Sequence, residues 1–291
     1  MASYDFDIGV IGSGAAGLTV AAGAARLGVK TLLVEKEKNL GGDCLHYGCV
    51  PSKTLIKTSK VYHQIRTSTA YGLPEVDTPP VDFGAVRERI LSVIGTIQEH
   101  DSVQRFCSLG VRVEFGTAVF ADEHLVEVDG RRFSAAKWVV ATGSRPSLPP
   151  IQGLADTPVL TNKDIFYMDT LPQHLIVLGA GPIAIEMAQA FVRLGSRVTV
   201  IQRSGRIMKH DDQALTTELR RILEDEGVTF LLEAATRSVR AEGGKRLVEV
   251  EQDGRTFTVE GDALLVALGR TVDVESLRLD NAGVAFDKKG V

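Results

Sequence analysis

Two stretches of the chain share one rhythm of apolar and polar positions. Asp7 to Lys36 ("DIGVIGSGAAGLTVAAGAARLGVKTLLVEK") and His174 to Arg203 ("HLIVLGAGPIAIEMAQAFVRLGSRVTVIQR") superimpose without a gap, down to the shared "RLG" at Arg26 to Gly28 and Arg193 to Gly195. Each reads as an apolar strand, a glycine turn, a helix and a second apolar strand. Downstream of each copy lie "LVEVDGRRFSAAKWVVATGSRP" and "LVEVEQDGRTFTVEGDALLVALGRT", alternating runs that end in an apolar strand and a glycine. Their Asp129-Gly130 and Asp253-Gly254 pairs predict hairpins, because a type I′ turn needs positive φ at both central residues. A helix is expected after Pro51 to about Ser68. Asp82 caps another that carries Val86, Ile90, Val93, Ile94 and Ile97. Leu215, Leu219, Ile222 and Leu223 form one apolar face of a third helix, which Gly227 ends. The pattern predicts an α/β fold of two doubly wound units, each carrying a small antiparallel β-meander. "GLADTPVLTNKDIFYMDTLPQ", Gly153 to Gln173, is rich in turn formers and weak in periodicity, so the domain junction is placed there.

Length and charge narrow the function classes. A chain of 291 residues with 44% hydrophobic content can bury two cores, and a formal net charge of -4 gives no basic field for nucleic acid or anionic lipid. Three cysteines do not make the disulfide framework of a small secreted domain. The amino end runs directly into "DFDIGVIG", which leaves no room for a targeting segment, and no apolar stretch reaches membrane-spanning length. A cytoplasmic protein acting on a small molecule is expected.

The glycine turns carry the first chemistry. Gly12, Gly14 and Gly17 follow a strand and open a helix at Ala15 and Ala16, and Glu35, followed by Lys36, ends the next strand. Such glycines let the backbone approach a pyrophosphate, the helix start supplies oriented N–H groups, and an acid at this spacing accepts from a ribose 2′-hydroxyl while repelling a 2′-phosphate. Copy one therefore suits FAD or NAD. In copy two the fingerprint is Gly179, Gly181 and Ala184, and Gln202 takes the place of the acid. Arg203, Arg206 and Lys209 follow directly. A 2′-phosphate meeting two such cations gains about 3 kcal/mol from charged hydrogen bonds, or roughly a hundredfold preference. NADPH is expected over NADH.

The segment "GGDCLHYGCVPSK", Gly41 to Lys53, carries Cys44 and Cys49, while the third cysteine, Cys107, lies far away. Zinc would need four ligands, and His46 brings the set only to three at an awkward spacing. A structural disulfide closing so short a loop would constrain the unfolded chain little and would be reduced in the cytosol. A working dithiol remains. Pro51 suits the first turn of a helix, which puts Cys49 near the positive end of a helix dipole, where a thiolate is stabilised.

The whole chain resembles the flavin-dependent pyridine nucleotide-disulfide oxidoreductases, a family that includes dihydrolipoamide dehydrogenase, glutathione reductase and mercuric reductase. "GSGAAG", the cysteine segment, "ATGSRP", "GAGPIAIE" and "ALGRT" follow the family's order. The resemblance implies two Rossmann-like dinucleotide-binding domains: residues 1–152 for FAD, with a redox disulfide segment at 41–53, and residues 153–272 for the nicotinamide cofactor. Residues 273–291 would start the return toward the FAD domain. FAD would meet the first glycine turn, Gly42, Asp43, Lys53, Thr117, Ala118, Ala141, Thr142, Gly143 and Ser144. The nicotinamide cofactor would meet Gly179, Gly181, Ile183, Ala184, Glu186, Gln202, Arg203 and Lys209, with Gly269 and Arg270 ending the unit. Cys49 would be the thiol beside the flavin, Cys44 the interchange thiol, and Lys53 and Glu186 a pair near the flavin's reactive nitrogen. No resident metal is implied. Electrons would run from NADPH through FAD to the Cys44-Cys49 disulfide and on to a disulfide or metal-ion acceptor.

Three departures from the family's pattern stand out. Asp43 replaces the common threonine, His46-Tyr47 replaces an Asn-Val type pair, and Pro182 stands where several disulfide reductases carry a gating tyrosine. The last speaks against glutathione reductase, and the "GCVPSK" form leans toward mercuric reductase-like members. Family members run further, through a dimerisation domain, so a fragment of a homodimeric parent is expected. Dihydrolipoamide dehydrogenase using NAD, and a non-catalytic nucleotide-binding fragment, are the alternatives.

Overall fold

The computed structural model describes residues 3–272, 274–287 and 290. Positions 273, 288, 289 and 291, part of the expected return segment, lie outside the described residues. The chain forms two compact units: Met1–Pro51 with Ser92–Arg145 and Arg270–Val291, and Ser52–Leu91 with Pro146–Gly269.

In chain order the first half contains β1 (Phe6–Ile11), α1 (Ala15–Arg26), β2 (Thr31–Glu35), α2 (Gly42–His46), α3 (Cys49–Arg66), α4 (Phe83–His100), α5 (Val103–Ser108), β3 (Val111–Phe115), β4 (Ala118–Phe120), β5 (Leu125–Val128), β6 (Arg131–Val140) and β7 (Ser144–Pro146). Six of these strands make one sheet in the order β3-β2-β1-β6-β5-β4. β1 pairs in parallel with β2 and β6, and β2 with β3, whereas β4-β5 and β5-β6 are antiparallel. The first meander is thus continuous with the parallel sheet, because the ten-residue β6 pairs with β5 at its start and with β1 at its end. Every residue of β2 is buried, as a strand covered on both faces requires. Gly9 leaves room for Trp138: a Cβ there would lie 2.2 Å from the indole. The Trp138 Nε1–H is satisfied by the His124 carbonyl at 2.9 Å.

The second half adds β8 (His174–Leu178), α6 (Pro182–Leu194), β9 (Arg197–Ile201), α7 (Gln213–Asp225), β10 (Val228–Leu231), β11 (Ala235–Glu242), β12 (Lys245–Gln252), β13 (Arg255–Gly261) and β14 (Ala263–Val266). β10-β9-β8-β14 is a parallel sheet, and β11-β12-β13 is a separate antiparallel meander. Both expected hairpins carry positive φ at their central residues: 46° and 81° at Asp129-Gly130, 52° and 71° at Asp253-Gly254.

The structure differs from the sequence reading in three places. Ser52–Leu91 groups with the second unit rather than the first. Phe83 there is fully buried, with its ring 5.6 Å from that of Phe191 on α6. Gly153 to Gln173 is packed rather than linking: Leu154, Ile165 and Phe166 are buried, and Leu160 forms an isolated parallel bridge with Leu265. On α7 the buried positions are Thr216 and Leu223, while Leu215 and Ile222 face solvent. The helix is rotated from its apolar pattern so that Thr216, rather than Leu215, takes the inner position.

Packing at the first glycine turn yields a stability prediction. A Cβ at Gly17 would fall 1.8 Å from the Gly12 carbonyl oxygen, whereas one at Gly14 meets nothing within 4 Å. Gly17→Ala should cost about 2 kcal/mol and lower Tm by roughly 4–8 °C. Gly14→Ala should cost less than about 1 kcal/mol. Thermal unfolding of the chain without added nucleotide measures both, and equal losses would contradict the packing.

Candidate active site

The first unit's site starts at the end of β1. A Cβ at Gly12, whose φ is +100°, would lie 2.4 Å from the Ala141 carbonyl oxygen, so only glycine lets the turn pass beside that segment. Gly14 caps α1 without any side-chain hydrogen bond, and Ala15 and Ala16 are exposed. The first N–H groups of the helix are therefore open to an anion. Gly42 docks the cysteine segment on this turn, since a Cβ there would be 2.6 Å from the Gly14 Cα, and Gly41 N–H donates to the Ser13 carbonyl at 2.9 Å.

Glu35 is buried. Its Oε2 accepts from the Ser13 N–H at 2.7 Å and from the Ser13 hydroxyl at 2.6 Å, and its Oε1 accepts from the Glu37 N–H at 2.7 Å. Four lone-pair positions leave capacity for a ribose hydroxyl as well. Lys36 is exposed next to it. Thr117 and Ala118 come close because Gly116 N–H donates to the Glu35 carbonyl at 2.9 Å, and Asp129 fixes the Thr117 N–H at 3.1 Å. Ala141 N–H donates to the Ile11 carbonyl at 2.8 Å, Gly143 follows Thr142 with φ +68°, and Ser144 is held by Arg270. Ser13, Asp129 and the Arg270 contacts escaped the sequence reading, because nothing local marks pairs so distant along the chain. An open helix start, a glycine cradle and a buried acid together fit an adenine dinucleotide.

Cys44 lies in the short α2, and Cys49 is the first residue of the 18-residue α3. Both are free thiols, Cys44 half-buried and Cys49 exposed. They are hydrogen-bonded to one another. Burial first, then that hydrogen bond and the nearby charges of Cys49 and Asp43, push the Cys44 thiol up to about 11. Cys107 sits apart on α5. His46 Nε2 lies 3.1 Å from the Leu40 carbonyl, which also accepts from Gln98 Nε2 at 3.1 Å, so α2 is anchored through its histidine. Among the described residues no three His, Cys, Asp or Glu side chains come together in a metal-binding group.

The second unit repeats the turn. A Cβ at Gly179, with φ +99°, would lie 2.5 Å from the Ala267 carbonyl oxygen, and Gly181 caps α6 with open space around it. Ala184 is fully buried, and Ile183 is exposed. Gln202 Nε2 donates to the Ser204 hydroxyl at 2.7 Å. The basic loop is drawn over the turn by Met208 N–H, which donates to the Ala180 carbonyl at 2.8 Å. Arg203 and Lys209 are exposed there. Arg206 is committed instead to the loop itself, donating to the carbonyls of Lys209 and Asp211. Lys53 Nζ and Glu186 Oε1 form an ion pair at 2.6 Å in the same unit. Their exposure gives that pair little weight in stability. Gly269 has φ +130°, and its carbonyl accepts from Ser147 N–H at 3.0 Å.

Known proteins share this arrangement over nearly the whole chain. It is 32% identical over 288 residues to a mercuric reductase of Bacillus cereus, covering 99% of this chain and 45% of that protein. A dihydrolipoyl dehydrogenase of Bacillus subtilis is 30% identical, over 97% of this chain and 62% of its own length. Among solved structures, the HOCl-induced flavoprotein disulfide reductase RclA from Escherichia coli aligns with a TM-score of 0.85 at 28% identity, over 98% of this chain and 61% of that one. A Cu(II) complex of the same reductase aligns with a TM-score of 0.84 at 27% identity, over all of this chain and 62% of that one. The chain spans about half the length of the mercuric reductases of Bacillus cereus and Staphylococcus aureus, at 45% and 52%. With the pyridine nucleotide-disulphide oxidoreductase model matching residues 6–291, the chain belongs to that family.

Proposed function

We propose that the protein containing this chain is an oxidoreductase that passes electrons from NADPH through FAD to Cys44 and Cys49 and on to a metal-ion or disulfide acceptor. The family is FAD-dependent and works with NAD(P)H. The observation that carries the reading is a hydrogen-bonded thiol pair on a segment docked by Gly42 against the first glycine turn. FAD bound at the first glycine turn would supply two-electron chemistry between the reduced nicotinamide and the disulfide.

The chain's own residues do the rest. The α1 start supplies N–H donors for a pyrophosphate, and Glu35 holds the turn through Ser13 while keeping lone pairs for a ribose. Cys49 begins α3, so negative charge on its sulfur would lie at the positive end of the helix dipole. Cys44, held as a neutral thiol at neutral pH, is the partner that gives up a proton when it attacks the acceptor. Arg203 and Lys209 are the cations that select a 2′-phosphate, with Gln202 in place of an acid. A metal-ion acceptor is supported by the mercuric reductase relatives and by the Cu(II) complex of the reductase neighbour.

Three measurements test this. In the full-length parent, anaerobic NADPH should raise a long-wavelength charge-transfer band that is lost in Cys49→Ala; a band that survives the substitution, or a colourless protein, would sink the reading. Arg203→Ala/Lys209→Ala should lower the preference for NADPH over NADH about a hundredfold in flavin-reduction rates at limiting nucleotide. Alkylation of Cys44 in the reduced chain, followed by mass spectrometry, should climb about tenfold per pH unit from neutrality and level off only near pH 11. The sign follows from the raised value: below it the thiol is protonated and unreactive, so a plateau near pH 8 would contradict it.

A further inference from the structure

Asp43, one of the departures from the family's pattern, sits immediately before Cys44. Its carbonyl accepts from the Tyr47 N–H at 2.8 Å, which curls the chain back toward Cys49. A Cβ added at Gly48 would lie 2.9 Å from that carbonyl and 3.3 Å from the carboxylate Oδ2. The carboxylate therefore rests against the residue preceding Cys49, inside the loop that carries both thiols. The same Oδ2 is 3.3 Å from Arg270 Nη2. Arg270 is itself fixed, with Nε donating to the Ser144 hydroxyl at 2.8 Å and Nη2 to the Ser144 carbonyl at 2.6 Å. The negative end of the pair faces the thiol loop and the positive end is turned to Ser144. Neither end is sealed from solvent: the Asp43 side chain is 40% exposed and that of Arg270 27%.

We propose that Asp43 sets the charge class of the acceptor: its carboxylate, steadied by Arg270, favours cationic and neutral acceptors at Cys44 and repels anionic ones. The inference rests on the reading of Cys44 as the thiol that meets the acceptor. With a disulfide acceptor, Cys44 releases its proton to solvent and its thiolate attacks one acceptor sulfur. A Cys44–sulfur bond forms, the acceptor's S–S bond breaks, and the second sulfur leaves as a thiolate with the bonding pair. An acceptor carrying negative groups must bring them beside Asp43 during this attack. A cation is drawn in instead, which suits a soft metal ion as well as a basic disulfide. Removing Asp43 or Arg270 changes the local charge in opposite senses, so the two positions separate electrostatics from mere support of the loop.

The test uses three small aliphatic disulfides: cystamine, a dication; bis(hydroxyethyl) disulfide, neutral; and dithiodiglycolate, a dianion. Each is reacted with the reduced Cys49→Ser chain, where the mixed disulfide on Cys44 is trapped and measured by mass spectrometry. The ratio of cystamine to dithiodiglycolate rates, each normalised to the neutral probe, should fall roughly fivefold in Asp43→Asn and rise roughly fivefold in Arg270→Gln. Both changes should shrink in 1 M salt, where the Debye length is about 3 Å. Ratios unchanged in both variants, or moved in the same direction, would overturn the proposal. Circular dichroism of each variant identifies one that fails to fold, and the other then decides through its sign. Mixed disulfide forming readily in Cys44→Ser but not in Cys49→Ser would instead count against Cys44 as the acceptor's thiol.

Discussion

In both units a carbonyl lies where a side chain would otherwise be. Ala141 O and Ala267 O occupy the space that a Cβ on Gly12 or Gly179 would need, at 2.4 and 2.5 Å. This close approach lets the first strand of each unit turn sharply into its helix while the neighbouring strand ends beside the turn. Everything downstream inherits that geometry. The helix starts at Gly14 and Gly181 carry no side-chain cap, so their N–H groups point at open space, and the segments that follow β6 and β14 are brought against the turns. In the first unit the constraint extends one layer further, because Gly42 can dock on Gly14 only if Gly42 itself carries no side chain. Cys44 and Cys49 are placed by a chain of backbone contacts in which a side chain is forbidden at Gly12 and at Gly42.

Charge, rather than shape, distinguishes the thiols. The Cys44 sulfur is pushed toward its neutral form chiefly by burial, with the Cys49 thiol and the Asp43 carboxylate adding to it. Cys49 heads a long helix, at the positive end of its dipole. Two neighbouring sulfurs thus occupy different environments: Cys44 half-buried in α2, Cys49 exposed at the start of α3.

Much of the fold could be read from local chemistry. The hairpins at Asp129-Gly130 and Asp253-Gly254 and the strand-turn-helix units depend on backbone preferences that the residues themselves express. Contacts between distant residues left no such mark. Ser13 looks like filler between two glycines, yet it holds Glu35 with its N–H and its hydroxyl. Arg206 looks like a third phosphate ligand but is spent on loop carbonyls. The grouping of Ser52–Leu91 turns on Phe83 finding Phe191, and the α7 face depends on Thr216 taking a place the apolar pattern gave to Leu215. At the candidate site the glycines and cysteines announced themselves, whereas Asp43 appeared as a cofactor contact and a departure from the family, with nothing to mark Arg270 beside it.

The two copies show how one duplicated turn diverges through the residue after its second strand. Glu35 is drawn inward, because Ser13 offers two donors, beside the Glu37 N–H, to a carboxylate that is costly to bury unpaired. Gln202 cannot use such a site in the same way. It turns its amide to Ser204, on the loop that Met208 ties to Ala180. Arg203 and Lys209 on that loop stay exposed, so the desolvation that makes buried cations costly is avoided. Exchanging an inward acid for an outward amide therefore does more than remove a negative charge. It also frees the side chain to hydrogen-bond the following loop through the Ser204 hydroxyl.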